Sequence, residues 1–196
     1  STSLVRARSR KHQGDFRSFV DSFVAEAKSL ARLVHPNIVG VHQVFEENDT
    51  AYMAMDYIDG PDLLQTVEGT ARPLTPKEIV SFLHTMLDAL GHVHERGLLH
   101  RDISPDNVLI DKTGEPILID FGAAREHASK TTRAMSALRV VKDGYSPQEF
   151  YIAGSEQGPW SDLYALGATL YHLISGEAPV NGQARLAALA EERPDP

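Results

Sequence analysis

The sequence contains no cysteine, which excludes a disulfide framework and any thiolate metal site and allows a reducing compartment. Long apolar runs are missing too. The longest, Leu163 to Leu170 and a little beyond, is broken by His172 and falls short of a membrane span. No signal-peptide pattern opens the chain. Positive charge is scarce: 19 Lys and Arg against 27 Asp and Glu give a net charge of −8. With those cations scattered, a nucleic-acid-binding surface is not expected. A cytoplasmic setting without membrane contact in this segment is the expectation, and it is compatible with an anchor outside these residues. What is present is ordinary for a globular chain, 42% hydrophobic and 23% charged over 196 residues. That composition supports a packed core in one domain or two small lobes.

Residues 1–15 are polar and basic (Arg6, Arg8, Arg10, Lys11) and read as a solvated loop. From Phe16, apolar residues at 16, 19, 20, 23, 27, 30, 31 and 34 have the spacing of an amphipathic helix, with Asp15 as N-cap and Pro36 as stop. Glu26 lies beside the apolar stripe. Two strands are expected at about 39–45 and 51–56 across the polar turn 46–49. Thr75-Pro76-Lys77-Glu78 is a capping box with proline at the first helical position. The helix it starts is expected to reach about Arg96, burying Ile79, Leu83, Met86, Leu87, Leu90 and Val93. His84, His92 and His94 lack metal-ligand spacing, because His92 and His94 diverge on a helix, and read as structural or surface residues. Trp160-Ser161-Asp162 opens a helix ending at Gly176, apolar almost all round and so expected to be buried centrally. After residue 181 the chain trails off.

The most informative stretch is His100-Arg101-Asp102-Ile103-Ser104-Pro105-Asp106-Asn107, followed by Asp120-Phe121-Gly122. Between them, Val108-Leu109-Ile110 and Ile117-Leu118-Ile119 are joined by a polar turn and read as a β-hairpin. A hairpin sets Asn107 at one strand's entrance beside Asp120 at the other's exit. A carboxylate and an amide oxygen converging there suit a hard, oxygen-seeking cation such as Mg²⁺. Asp102, in the loop, is then placed to orient a hydroxyl nucleophile.

This arrangement resembles the catalytic loop and metal-binding triplet of eukaryotic-like Ser/Thr protein kinases, most closely the bacterial members. The resemblance covers about 16–180 and implies an α+β bilobal fold. Its expected division is a basic loop (1–15), a partial N-lobe with one helix, two strands and the hinge (16–58), and a partial helical C-lobe (59–196). It implies transfer of the ATP γ-phosphate to a Ser/Thr hydroxyl of a protein substrate, with ATP and Mg²⁺ as cofactors. Asp102 matches the base, and Asn107 and Asp120 match the Mg²⁺ ligands. Met55 matches the bulky residue behind the nucleotide pocket, the backbone of Asp56 and Ile58 the adenine partners, and Asp62 the ribose contact. Glu26 corresponds to the helix glutamate that pairs with the ATP lysine. His100 and Phe121 stack with Leu30 and Val41 as an apolar spine above Asp162, which holds the catalytic loop. Arg101 matches the receiver of an activation-segment phosphate; that segment, 123–144, carries Ser129, Thr131, Thr132 and Ser136. Gly122 completes the metal triplet, and Glu149 closes the segment.

The chain departs from the pattern at several places. Upstream of Glu26 the only glycine is Gly14, and no apolar strand carries an ATP lysine. The expectation is therefore a domain truncated at both ends and inactive as an isolated fragment. The alternative is a non-catalytic, pseudokinase-like scaffold or interaction module. The lysine usual two residues after the base is Ser104. The threonine usual three residues before Tyr145 is Lys142. The expectation is that the lysine has migrated, Lys142 supplying the phosphate-facing charge. Asp106, where tyrosine kinases often carry arginine, favours Ser/Thr substrates.

Overall fold

A computed structural model of the protein describes residues 13–69, 72–121, 141–152 and 154–194. Helix α1 spans Gln13–Leu30, so it begins before the expected start at Phe16, and the expected basic loop lies, over residues 1–12, outside the described residues. No proline precedes Pro36, and a helix's first N–H groups need no intrahelical acceptor, so the helix extends past the expected cap at Asp15. At its other end α1 stops at Leu30, well short of Pro36. Val34, expected on the buried stripe, is 84% exposed. The Asn37 N–H donates to His35 Nδ1 at 3.1 Å, fixing a turn where the helix pattern seemed to continue.

Strands β1 (Val41–Glu47) and β2 (Thr50–Met55) form an antiparallel ribbon. Its turn residues Asn48 and Asp49 are both left-handed, at φ 55° and 59°. Asn and Asp tolerate that region better than other side chains, and two successive positive φ values suit the twist of a tight hairpin. β3 (Val108–Ile110) and β4 (Pro116–Leu118) form the second, catalytic hairpin.

Backbone bonds lock that hairpin from both sides. On the β4 side, Leu118 N donates to Asn37 O at 2.9 Å and Val39 N to Leu118 O at 3.0 Å. On the β3 side, Ile110 N donates to Pro61 O at 2.8 Å. The segments entering β1 and leaving β2 therefore clasp the hairpin between them.

Helix α2 (Leu63–Val67) is capped by Asp62, and α3 (Pro76–His94) by the Thr75/Glu78 capping box. α4 (Pro159–Ser175) follows a 3₁₀ turn at Gln148–Phe150. α5 (Gly182–Ala190) forms where the sequence seemed to trail off, its start capped by Asn181 Oδ1 accepting from Ala184 N at 2.9 Å. α3 serves two cores. Phe82, Met86 and Leu90 pack with Leu63, Ile103, Val108, Leu118, Ala165 and Leu166. Ala89 and Val93 pack with Leu30, Leu33 and Ile38. Each fully buried leucine among them contributes about 2 kcal/mol of transfer free energy.

Two burial expectations are corrected. On α3, Leu87 faces solvent and Phe82 is inside, because a helix advances about 100° per residue and Met86 already occupies the core direction. On α4, Leu163, Tyr171 and Ile174 are exposed. The helix packs on one side only, through Ala165, Leu166, Ala168 and Thr169, mostly small residues that allow close approach.

Gly60 sits where the hinge exit crosses β3. A Cβ there would lie 1.8 Å from the Ile110 carbonyl oxygen, whereas one at Gly91 in α3 meets nothing within 4 Å. Gly60→Ala is expected to cost about 1–3 kcal/mol through overpacking. Gly91→Ala is expected to gain up to about 1 kcal/mol from helix propensity. Urea denaturation of both variants checks the pair, and equal effects would contradict it.

Candidate active site

The catalytic loop hangs on a carboxylate. Asp162, in the first turn of α4, is 1% exposed. Its Oδ2 accepts from His100 N at 2.9 Å and its Oδ1 from Arg101 N at 2.8 Å. His94 Nε2 lies 2.8 Å from the same Oδ2. Burial alone would raise this carboxyl, but the His94 hydrogen bond, the nearby His100 and the two backbone N–H groups hold it below its ordinary value. With its backbone so held, Arg101 adopts φ 66°, which costs energy in a non-glycine residue. The His100 ring is aimed by the same bond. Its Nε2 lies 2.9 Å from Ile119 O, and a carbonyl can only accept, so Nε2 carries the proton. Nδ1 then accepts from Asp102 N at 3.2 Å. The ring stacks on Phe121, centroids 4.4 Å apart, and Phe121 packs with Val41 against the cluster holding Leu30.

Asn107 and Asp120 meet through the hairpin. Ile119 N donates to Asn107 O at 3.0 Å, setting Asp120 next to the Asn107 backbone. Asn107 is buried, and its Nδ2 donates to the Asp102 carbonyl at 2.7 Å. That bond fixes the amide orientation, so Oδ1 is the atom that could face a cation. Asp120 is exposed and left-handed at φ 53°. An amide oxygen and a carboxylate oxygen are hard donors, so the set fits Mg²⁺ with the remaining positions filled by phosphate or water. Gly122, and residues 123–140 of the expected activation segment, lie outside the described residues.

Lys142 reaches across to the catalytic loop. Its Nζ donates to Ser104 Oγ at 2.7 Å and pairs with the Asp106 carboxylate. Burial pushes Asp106 upward, but hydrogen bonds from Lys142 and Ser104 outweigh it and leave the carboxyl below its ordinary value. The backbone around Lys142 is fixed by its N–H on Ser146 Oγ at 2.9 Å and by Ser146 N on its carbonyl at 2.9 Å. Gly144, which sequence reading passed over, makes this turn possible: its φ is 87°, and a Cβ would lie 2.5 Å from Pro179 O. Tyr145 is buried and lies 2.5 Å from His172 Nδ1 through its hydroxyl; burial, with the Asp106 charge nearby, pushes its hydroxyl pKa up to about 12.

The other expected site residues are spread around this centre. Arg101 Nη1 lies 3.6 Å from Glu26 Oε1, both side chains being largely buried, so the helix glutamate pairs with the catalytic-loop arginine. Met55 shares a small internal cavity with Leu30, Leu33, Val41, Asp120 and Phe121, which sets it behind Asp120. Asp56 N donates to Gly40 O at 2.9 Å, and its carboxylate accepts from Gly40 N at 3.1 Å and lies 2.6 Å from His42 Nε2. The Asp56 N–H is thereby engaged within the protein. Ile58 is half-buried in the connection to α2. Asp62 caps α2, accepting from Gln65 N at 2.8 Å, a task the sequence reading did not assign to it. Glu149 accepts from Ser161 Oγ at 2.6 Å.

Removing the Asp162 carboxylate leaves two buried backbone N–H groups without it. Asp162→Ala is expected to cost about 3–5 kcal/mol. Because the folded carboxyl lies below its ordinary 3.8, its stabilisation is complete above that value and is lost as pH falls through the folded value. Acid titration of stability should therefore be steeper for the wild type than for Asp162→Asn; identical profiles would contradict the assignment.

Comparison with known proteins identifies the family. The model of the protein kinase domain matches residues 4–193. The serine/threonine-protein kinase PrkC of Bacillus subtilis is 34% identical over 169 residues, 86% of this chain and 26% of the relative. PknB of Mycobacterium tuberculosis is 33% identical over 184 residues, 91% of this chain and 29% of the relative. The chain thus spans roughly a quarter to a third of the curated relatives it matches. Among solved structures, the apo form of PpkA-294 superposes with TM-score 0.75 at 33% identity, covering 98% of this chain and 69% of that one. The Mycobacterium tuberculosis PknI kinase domain superposes with TM-score 0.66 at 30% identity, covering 91% and 68%. The chain belongs to the protein kinase family, as a eukaryotic-like Ser/Thr kinase domain.

Proposed function

We propose that these residues are the catalytic core of a kinase that transfers the γ-phosphate of ATP to a Ser/Thr hydroxyl of a protein substrate. The observation that carries this reading is the bond from Asn107 Nδ2 to the Asp102 carbonyl, which ties the base to the metal end in one rigid unit. In this reading Asp102 orients the substrate hydroxyl and receives its proton. Asn107 Oδ1 and the Asp120 carboxylate hold Mg²⁺. Bound Mg²⁺ neutralises phosphate charge in such sites. Adenine pairs with the backbone of Asp56, through its carbonyl, and of Ile58; Met55 closes the pocket behind it and Asp62 faces the ribose. Residues 16–58 then form the N-lobe part and 59–196 the C-lobe part, in a cytoplasmic setting.

Lys142 supplies the ammonium that Ser104 cannot. The 2.7 Å contact between the two side chains supports this: serine takes the bonding role of the usual threonine, and the charge comes from the opposite segment. Losing such a charge in a preorganised site costs on the order of a hundredfold in rate.

One observation favours the non-catalytic alternative for the 196 residues taken alone. Glu26 faces the catalytic-loop Arg101, so the helix glutamate is engaged by a residue other than a strand lysine. The isolated 196 residues are therefore expected to transfer phosphate at a negligible rate, and clear Mg²⁺- and ATP-dependent turnover by them would overturn that expectation. For the kinase expressed from its complete reading frame, Asp102→Asn is expected to abolish transfer and Lys142→Ala to lower kcat about a hundredfold. The swap Ser104→Lys/Lys142→Thr should restore most of it. Wild-type turnover in Lys142→Ala would sink the migrated-lysine reading.

A further inference from the structure

We infer that Asp106 is a positioning residue that holds the Lys142 ammonium over the catalytic loop; the inference rests on the reading of Lys142 above. Asp106 lies in the 3₁₀ turn Pro105–Asn107, whose first residue is a buried proline. The ring fixes φ at Pro105, and Asn107 N donates to Ser104 O at 3.0 Å across the turn, so the turn that carries Asp106 is held at both ends. The side chains of Lys142 and Asp106 are only 28% and 38% exposed, which lets their attraction act in partial shelter from solvent. Ser104 forms the second jaw. It precedes the turn but makes no side-chain cap bond to it. Its hydroxyl instead accepts from Lys142 at 2.7 Å and lies 3.4 Å from the Asp102 carbonyl, so its one proton is shared between that carbonyl and the Asp106 carboxylate.

The reason such a clamp is needed lies in the migration itself. Lys142 reaches Ser104 from 38 positions away in the chain, on a stem of four rotatable bonds. A flexible ammonium carries much rotamer entropy and no fixed direction. Clamping it beforehand removes that freedom before the reaction. An ammonium has three N–H donors; Ser104 and Asp106 engage two, leaving one to face a phosphoryl oxygen. Asp106 makes no contact with the reacting atoms in this scheme and acts through Lys142 alone.

The test combines a readout independent of activity with a kinetic one. In the 196-residue chain labelled with ¹⁵N-lysine, a slowly exchanging ammonium resonance is expected, identified by its disappearance in Lys142→Ala. It should be lost in Asp106→Asn and regained in Asp106→Glu. In the kinase from the complete reading frame, Asp106→Asn is expected to lower kcat about tenfold while leaving the KM for ATP nearly unchanged. Asp106→Glu should recover part of the loss. A retained resonance in Asp106→Asn, or an unchanged or raised kcat, would overturn the inference. If Lys142→Ala lowers kcat and Asp106→Asn does not, the positioning role fails while the lysine reading stands. If Lys142→Ala itself is fully active, the underlying reading fails.

Discussion

A single buried carboxylate, that of Asp162, receives two backbone N–H groups of the catalytic loop and lies against a histidine side chain. A charge in that position would be costly without partners, and the partners it has are the ones that shape the loop. Holding His100 N and Arg101 N together forces the left-handed turn at Arg101. From that turn the His100 ring reaches Ile119, and Asp102 comes into range of Asn107. The positions of Asp102 and Asn107 thus depend, through a chain of side chain–backbone bonds, on an aspartate at the start of a helix in the larger core.

The same logic of borrowed support governs the charge at the loop. Ser104 carries none, and the ammonium beside it comes from Lys142, on the segment leading to the 3₁₀ turn at Gln148–Phe150. Its presence depends on the docking of that segment through Ser146, Gly144 and Tyr145. In the usual family pattern the lysine is local to the loop. Here the two halves of the cleft share one cluster, so order in one is coupled to order in the other.

Much of the fold was legible because it is governed locally. The capping box at Thr75, the 3.6-residue stripe of α1 and the paired β-rich runs of the catalytic hairpin each follow from neighbours in sequence. The errors arose where tertiary packing selects among local options. Val34 continued the stripe, but the turn at His35–Asn37 removed it from the helix. Leu163, Tyr171 and Ile174 gave α4 an apolar circumference, yet only the side with small residues found a partner. Helix α5 was missed because its apolar residues are mostly alanines, a weak periodic signal; Asn181 before Gly182 was the one available cue.

The sequence by itself determined the family pattern and the hairpin: Asn107 and Asp120 stand at spacings that a short hairpin must bring together, and hairpin geometry depends on little beyond its own strands and turn. Tertiary structure alone decided what surrounds them. It joined Lys142 to Ser104 and Asp106, turned Glu26 toward Arg101, committed the Asp56 N–H to Gly40 and gave Asp62 to a helix cap. Those pairings link residues whose proximity no local pattern encodes, because it is set by how helices and hairpins pack around a shared core.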